Sequence, residues 1–439
     1  MNISNLVDAA GVTPDQGSSR ASLAVLLRRC APFITVAVLA YPTLVWPLLE
    51  AEVVSLTPAM GQPVVDGPPS ALLRLYFSSI FGLSLAAFIA ARRMMAPGIA
   101  APLLACLAAN LAWAGLTVFW SVEPDITLRR FLLAIFVAGS LVLSVLAARD
   151  HRRILDLVFW MLVVAAALST VSVLPTAATP IRHAAFYPHK NYFAAIVCAM
   201  IFTAAYQIMN GSGIARIAAL ALLPLCVGFL IAAQSKTSLG LAATVPALAY
   251  LIAWLAARAR LSPAIIVSGI CAAVWGIYTF GAESGIWDFH AVATAIFGDP
   301  TLTQRTDIWA FAFKKIEERP WLGYGFEVFW GASLNSPSVR EATGFVAQMP
   351  QGHNGYIDLI VHTGYVGLAL FVAVALLTLH RVGRVAARSV GYAAFLLCLI
   401  LFPMLHNGLE SSWFRSFNLV SMLFILGIAL AARPVGPTQ

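Results

Sequence analysis

Residues 217–233 read IAALALLPLCVGFLIAA, a run with no charge and no strongly polar side chain. As a helix it rises about 25 Å at 1.5 Å per residue, close to the roughly 30 Å of hydrocarbon in a bilayer. Working outward, further apolar runs of similar length stand at 32–49, 71–91, 98–118, 128–147, 154–174, 191–209, 238–256, 263–280, 356–379, 390–406 and 415–432. They lack the ten-residue alternation of barrel strands. The chain therefore reads as all-α, a polytopic integral membrane protein with about twelve transmembrane helices.

Composition points the same way. Of 439 residues, 60% are hydrophobic and only 10% are charged, against about 25% charged in soluble domains. That excludes a soluble globular chain, a disordered one and a coiled coil. The six cysteines (Cys30, Cys106, Cys198, Cys226, Cys271 and Cys398) lie in or beside apolar runs, which excludes a secreted disulfide scaffold. The net charge of +8 does not point to nucleic acid, because Lys and Arg fall in small groups between apolar runs, as topology signals do.

Those groups orient the chain. Arg20, Arg28, Arg29, Arg92, Arg93, Arg149, Arg152, Arg153, Arg216, Arg258, Arg260, Arg381, Arg384, Arg388 and Arg433 fall in one alternate set of connections, with almost no acid beside them. The other set holds Glu50, Glu52, Asp66, Glu123, Asp125, Glu283, Asp288, Asp299 and Glu341. The positive-inside rule makes the first set cytoplasmic and places both termini there. Residues 1–30 read as a cytoplasmic tail, since no small-residue cleavage site follows Arg28-Arg29 and the next run is long enough to span. Helices one to nine then occupy 31–280, an external loop 281–355, helices ten to twelve 356–433, and a cytoplasmic tail 434–439. The loop carries Trp287, Trp309, Trp321 and Trp330. Its stretch 306–319 reads as an amphipathic helix ended by Pro320 and Gly323, so the loop is expected to fold as a cap over the outer face.

Basic residues on the outer side run against the rule, and each requires an anion, a snorkelling path or a wet cavity. Arg129 and Arg130 have Glu123 and Asp125 within reach, which favours ion pairs; Arg182 stands farther along. Arg415 has Glu410 five residues away, and a structural pair and a functional role stand level. Lys190, in Tyr187-Pro188-His189-Lys190-Asn191, and Lys236, in Gln234-Ser235-Lys236-Thr237, have no acidic neighbour in sequence and open apolar runs. Both place an ammonium at a helix N-terminus, where free N–H groups and the dipole favour an anion such as a diphosphate. Arg305 begins the loop helix beside Asp307, and its forked guanidinium suits phosphate oxygens. Lys314, Lys315, Glu317, Glu318 and Arg319 read as a solvated face. His353 sits between Gly352 and Asn354-Gly355 where the loop returns to the membrane; as a lone histidine it is either a hydrogen-bonding group or a base. His362 reads as structural.

The segments Trp120-Ser121-Val122-Glu123-Pro124, His189-Lys190-Asn191, Gln234-Ser235-Lys236-Thr237, Arg305-Thr306-Asp307-Ile308-Trp309, Pro320-Trp321-Leu322-Gly323-Tyr324-Gly325 and His353-Asn354-Gly355-Tyr356 occur in this order around the long loop. Together they resemble the O-antigen ligase and Wzy-type polymerase family of bacterial envelope membrane proteins, over roughly residues 110–420. The resemblance implies a GT-C-like glycosyltransferase fold in the bacterial inner membrane, with a periplasmic site and no metal or other cofactor. The implied donor is an undecaprenyl-diphosphate-linked oligosaccharide and the implied acceptor a glycan hydroxyl. Ligases of the family carry Arg where this chain has Lys190 and Lys236. Those lysines, with Asn407-Gly408-Leu409-Glu410-Ser411-Ser412, look most like the exopolysaccharide-polymerase branch.

On this reading the chain is an inverting, metal-independent glycosyltransferase acting in exopolysaccharide or O-antigen biosynthesis. Lys190, Lys236 and Arg305 bind the diphosphate; His353 and Arg305 are catalytic; His189, Asn191, Asn354, Arg415 and Glu410 support them. Trp309, Trp321, Tyr324 and Trp330 either stack on sugars or form the loop core. The partners are the lipid-linked donor, the glycan acceptor, membrane lipid and a chain-length regulator or export complex, with no nucleic acid. The alternatives are a ligase attaching glycan to lipid A core, a protein O-oligosaccharyltransferase, and, in a different class, a precursor flippase or transporter, which a twelve-span chain with intramembrane cations also suits.

Overall fold

A computed structural model describes residues 16–49, 71–92, 98–173, 184–187, 189–286, 288–297, 302, 304–413, 415 and 418–434. Glu50, Glu52, Asp66, Arg93, Arg182, Trp287, Asp299, the first half of the predicted N-terminal tail and nearly all of the C-terminal one lie outside these residues. Among the described residues there are helices and no strands: α1 (Gln16–Ala40), α2 (Ala71–Ala91), α3 (Ala101–Leu116), α4 (Pro124–Ala147), α5 (His151–Val173), α6 (Lys190–Asn210), α7 (Gly213–Ala233), α8 (Lys236–Ala259), α9 (Pro263–Glu283), α10 (Phe289–Phe297), α11 (Arg305–Glu318), α12 (Gly355–Ala386), α13 (Val390–His406) and α14 (Leu419–Ala432).

Local chemistry sets many of the boundaries. Pro124 and Pro263 start helices where a missing N–H costs nothing. Asn354, Ser389 and Asn418 cap α12, α13 and α14 by accepting from first-turn amides. Ten helical stretches among the described residues are long and apolar enough to cross a bilayer. The last two predicted spans fall on α13 and α14, of 17 and 14 residues. A 14-residue helix rises only about 21 Å; within the expected span at 415–432 the helix begins at Leu419. A count of twelve crossings therefore needs loop residues to complete the last two. α6, α13 and α14 are buried along most of their length, whereas Val274, Trp275, Ile277 and Phe280 leave α9 more than 60% exposed at each position.

Two irregularities shape the outer end. Residues Tyr41–Val45 form a π-helical turn before Pro47. Lacking an N–H, Pro47 leaves one carbonyl of the preceding turn without its backbone donor. Tyr192 donates its O–H to the Pro42 carbonyl (2.8 Å) and Tyr187 to that of Thr43 (3.1 Å). The second irregularity is Gly364, whose φ of +68° splits α12 into a short leading helix and a long trailing one. A Cβ there would collide with the Trp321 carbonyl.

Residues 320–325 weave this corner together. Tyr365 N–H donates to the Pro320 carbonyl (2.8 Å), Tyr324 N–H to Val361 (2.9 Å) and Gly325 N–H to His362 (3.0 Å). Trp120 Nε1 donates to the Leu322 carbonyl, and Val122 N–H to Tyr324. Beneath lies the loop's own core of Ile308, Ala312, Ile316, Tyr324, Phe329, Trp330, Ile357 and Val361. Tyr324 and Trp330 are thus core residues, while Trp321 is 66% exposed.

The charges of this region differ from the sequence reading. Lys315 is buried and pairs with Glu318 (2.6 Å) and Glu341, so α11 does not carry a uniformly solvated charged face. Glu123 accepts from Ser333 Oγ (2.6 Å) and Asn335 Nδ2 (2.8 Å). Arg129 donates to the Asp125 backbone carbonyl and Arg130 to that of Glu327.

Candidate active site

The Glu410 carboxylate joins three segments that are remote in sequence. Its Oε1 accepts from Asn191 Nδ2 at 2.9 Å and from Arg305 Nη2 at 3.0 Å, and its Oε2 lies 3.5 Å from His353 Nδ1. Asn191 is in the first turn of α6, Arg305 opens α11, and His353 immediately precedes the cap of α12. Three helix N-termini therefore converge on one carboxylate that is 11% exposed at its side chain. Their dipoles favour negative charge, and Arg305 and Lys190 add to that field.

Each arm is held by its own contacts. His189 caps α6, its Nδ1 accepting from Asn191 N–H, and the tyrosines on the π-turn fix the chain on either side. The His353 arm is pinned through Gly352, whose N–H donates to Asp358 Oδ1 (3.0 Å) and whose carbonyl accepts from Trp309 Nε1 (2.9 Å). Trp330 Nε1 donates to the same Asp358 oxygen at 2.7 Å. His353 itself takes a φ of +49°, sparsely populated for a residue with a side chain. Glycine is required at 355: its N–H donates to the Asn407 (2.8 Å) and Glu410 (3.0 Å) carbonyls, and a Cβ would strike Asn407. Asn407 Oδ1 in turn accepts from the Ser412 and Trp413 amides, which fixes the loop that carries Glu410.

Burial would raise the Glu410 carboxyl, but the His353 contact and the charge of Arg305 outweigh it and hold it below the usual glutamate value. Glu410 is therefore ionised and only accepts, and His353 Nδ1, which faces its Oε2, also lies 3.3 Å from Gln351 Nε2. Burial, with Lys190 and His353, lowers the His189 imidazole against the pull of Glu410. The result is an anion-favouring recess with a carboxylate-oriented imidazole at its edge. No group of three or more His, Cys, Asp or Glu among the described residues is arranged to hold a metal ion.

The structure thus brings together Asn191, Arg305, His353 and Glu410, with His189 beside them. Asn354 joins through its capping role and an Nδ2 bond to the Gly408 carbonyl (3.2 Å). Lys190 opens α6 next to Asn191 and is exposed. Lys236 opens α8, whose Ser238 carbonyl meets Cys198 Sγ on α6 (3.5 Å). Because Cys198 lies eight residues along α6 and Ser238 two along α8, α8 begins about 9 Å below the level of Lys190. Arg415 does not pair with Glu410; it donates to the Pro350 carbonyl (2.8 Å). Sequence reasoning missed Asp358, Tyr187 and Tyr192 as supports. It also missed His406, which is buried with an unpartnered Nδ1 and whose carbonyl accepts the Glu410 N–H.

Residues 219–372 match the family model described as O-antigen ligase, so the resemblance carried by the motifs holds for this part of the chain. The match takes in Lys236, Arg305, His353 and Asn354 and leaves out His189, Lys190, Asn191, Glu410 and Arg415. No curated protein matches the chain. With ten helices among the described residues suited to crossing a bilayer, this is a multi-pass membrane protein of which residues 219–372 match the O-antigen ligase model.

Proposed function

We propose that the chain transfers an oligosaccharide from undecaprenyl diphosphate to a sugar hydroxyl at the periplasmic face of the bacterial inner membrane, as a polymerase of exopolysaccharide or O-antigen. The supporting observation is the convergence of three helix N-termini, Arg305 and His353 on Glu410. In this reading α13 and α14 complete twelve crossings in a GT-C-like arrangement, and both termini are cytoplasmic.

The donor diphosphate lies against Arg305 and Lys190, with Lys236 reaching up from the recessed start of α8. His353 Nε2 takes the proton of the acceptor hydroxyl while Glu410 holds Nδ1–H. The acceptor oxygen bonds to the sugar C1 as the C1–O bond to phosphate breaks, and that electron pair leaves on the diphosphate. One in-line displacement inverts C1. Preorganised cations stabilise the departing charge without reorganising; they take the part a divalent ion plays elsewhere. A chain-length regulator or export complex is the proposed protein partner.

Ligation of glycan to lipid A core is the second reading, favoured by the description of the matching family. Gel analysis of a deletion strain separates the two. Loss of free polymer with intact lipopolysaccharide is the polymerase result, and loss of long lipopolysaccharide the ligase result. Unchanged surface glycan in a strain carrying only Arg305→Ala and His353→Ala overturns both.

A further inference from the structure

The end of the bundle opposite Glu410 carries positive charge with little to balance it. Arg28 and Arg29 precede the apolar run of α1, Arg149 stands in the turn between α4 and α5, Arg152 and Arg153 open α5, and Arg433 follows α14. These arginines lie at the boundary of the spans. α4 ends at Ala147 and α14 at Ala432, and about twenty residues counted back from Leu49 along the first span end near Cys30. The carboxylates nearest in sequence are engaged elsewhere. Asp150 Oδ1 accepts the Arg152 N–H (2.8 Å), and Asp156 Oδ1 accepts from Gln207 Nε2 (2.7 Å). Among the described residues no carboxylate pairs with Arg28, Arg149 or Arg153.

One of these cations serves the fold. Arg433 donates to the carbonyls of Val145, Ala148 (2.9 Å) and Arg149 (3.1 Å), which closes the C-terminal end of α4. Arg28 has no such role: its Nε is buried without a partner, and Arg149 and Arg433 stand near enough to repel it. A guanidinium held beside two others, with one donor out of reach of water, needs an anion. Just inside this level the surface turns apolar. Phe33 is 50% exposed, about 7.5 Å along α1 from Arg28, and the Arg153 guanidinium lies over its ring at 5.1 Å. On α5 the exposed side chains of Trp160, Val164 and Val171 continue the helical stripe that begins at Arg153.

We propose that the junction of α1 and α5 binds one anionic phospholipid, its phosphate held by Arg28 and Arg149 and an acyl chain lying along Phe33, Trp160 and Val164. The forked donors of arginine suit phosphate oxygens. A free phosphate or an acidic peptide would meet the arginines and leave the apolar face below them unused, whereas a phospholipid carries its anion at the level of the helix ends and its hydrocarbon beneath. A zwitterionic phospholipid brings an ammonium of its own into a place already crowded with cations, so the site selects a headgroup of net negative charge. The inference concerns the opposite end of the molecule and does not rest on the reaction proposed above.

Native mass spectrometry of the full-length protein in dodecyl maltoside, with equal amounts of dioleoyl phosphatidylglycerol and dioleoyl phosphatidylethanolamine added, tests this. The two lipids share their chains and differ in headgroup charge. Wild-type protein is expected to retain phosphatidylglycerol roughly tenfold better, the effect of a few basic side chains on an anionic lipid. Arg149→Ala should lower that preference about threefold, and Arg28→Ala with Arg149→Ala should bring it close to one. Arg216→Ala with Arg258→Ala removes the same charge from other helix ends of this face and should leave the preference as it is. Equal retention of both lipids by wild type overturns the proposal, as does an unchanged preference in Arg149→Ala, an equally large loss in the variant at Arg216 and Arg258, or displacement of the lipid by an excess of inorganic phosphate. Arg149 lies in an exposed turn, so its single variant carries the test if the double variant fails to fold.

Discussion

Arg305 and Glu410 stand 105 residues apart in the chain, yet Arg305 Nη2 meets Glu410 Oε1 at 3.0 Å with both side chains largely buried. Neither is dispensable to the other: removing one leaves a buried charge alone, at a cost of several kcal/mol. Arg305→Ala and Glu410→Ala are each expected to lower transfer by at least ~100-fold, the loss seen when a preorganised electrostatic group is removed. The double variant should fall far short of the product of the two losses. Transfer of labelled glycan in membrane vesicles measures this, and simple multiplication of the two effects would refute the coupling.

The same carboxylate sets an acid limit. Its folded-state value lies below that of the unfolded chain. Ionised Glu410 therefore stabilises the fold above the ordinary glutamate range of about 4.3, and this contribution is lost as pH falls through the lower folded value. Thermal melts of the detergent-solubilised protein should show a loss of stability below that range that Glu410→Gln lacks. The glutamine variant should be less stable than wild type near pH 7.

Gly364→Ala should be among the most damaging single substitutions outside the site. The φ of +68° disfavours any Cβ, and the Trp321 carbonyl occupies its place. Alanine either straightens α12 or pushes residues 320–325 off it, breaking the amide bonds of Tyr324, Gly325 and Tyr365. Loss of more than ~3 kcal/mol, read as failure to accumulate folded protein, is the expected outcome; near wild-type yield would mean that the corner is adaptable.

How much of this could be read from the sequence depends on whether the signal is local. The spans were legible because apolar length is local, and the motif residues around 189–191, 305 and 353–355 drew notice as charges on the wrong side. Sequence proximity offers Glu410 a partner in Arg415, five residues on, and leaves a structural pair and a functional role level. In space it lies with Arg305 and Asn191, because the loop fixed by Asn407 turns it towards α6 and α11. Lys315 was assigned to a solvated face because helical period alone cannot reveal Glu341, which arrives from a later loop. The kink at Gly364 was equally hidden: only the approach of Trp321, 43 residues earlier, distinguishes this glycine from a neutral one.

The tyrosines of the π-turn give a prediction free of charge effects. Tyr192→Phe and Tyr187→Phe each remove the O–H that a carbonyl of the π-turn, Pro42 or Thr43, accepts from. Each should cost about 1 kcal/mol, seen as a lower melting temperature. Pro47→Ala restores a backbone N–H and should recover part of the loss in Tyr192→Phe. An additive loss in that double variant would show that the two are not linked.

Asp358 separates support from chemistry. It accepts from Trp330 Nε1 and Gly352 N–H and makes no hydrogen bond to Asn191, Arg305 or His353 among the described residues. Asparagine keeps one oxygen able to accept both bonds, whereas alanine strands two buried donors at ~1–3 kcal/mol each. Asp358→Asn should therefore retain transfer within about tenfold, and Asp358→Ala should lose both stability and transfer as the His353 arm loosens. His353→Gln should lose roughly 100- to 10,000-fold in rate, the range for a general base, with an unchanged melting temperature. If Asp358→Ala instead kept full transfer, His353 would not depend on the Gly352 anchor, and the pinning of this arm would have no part in the reaction.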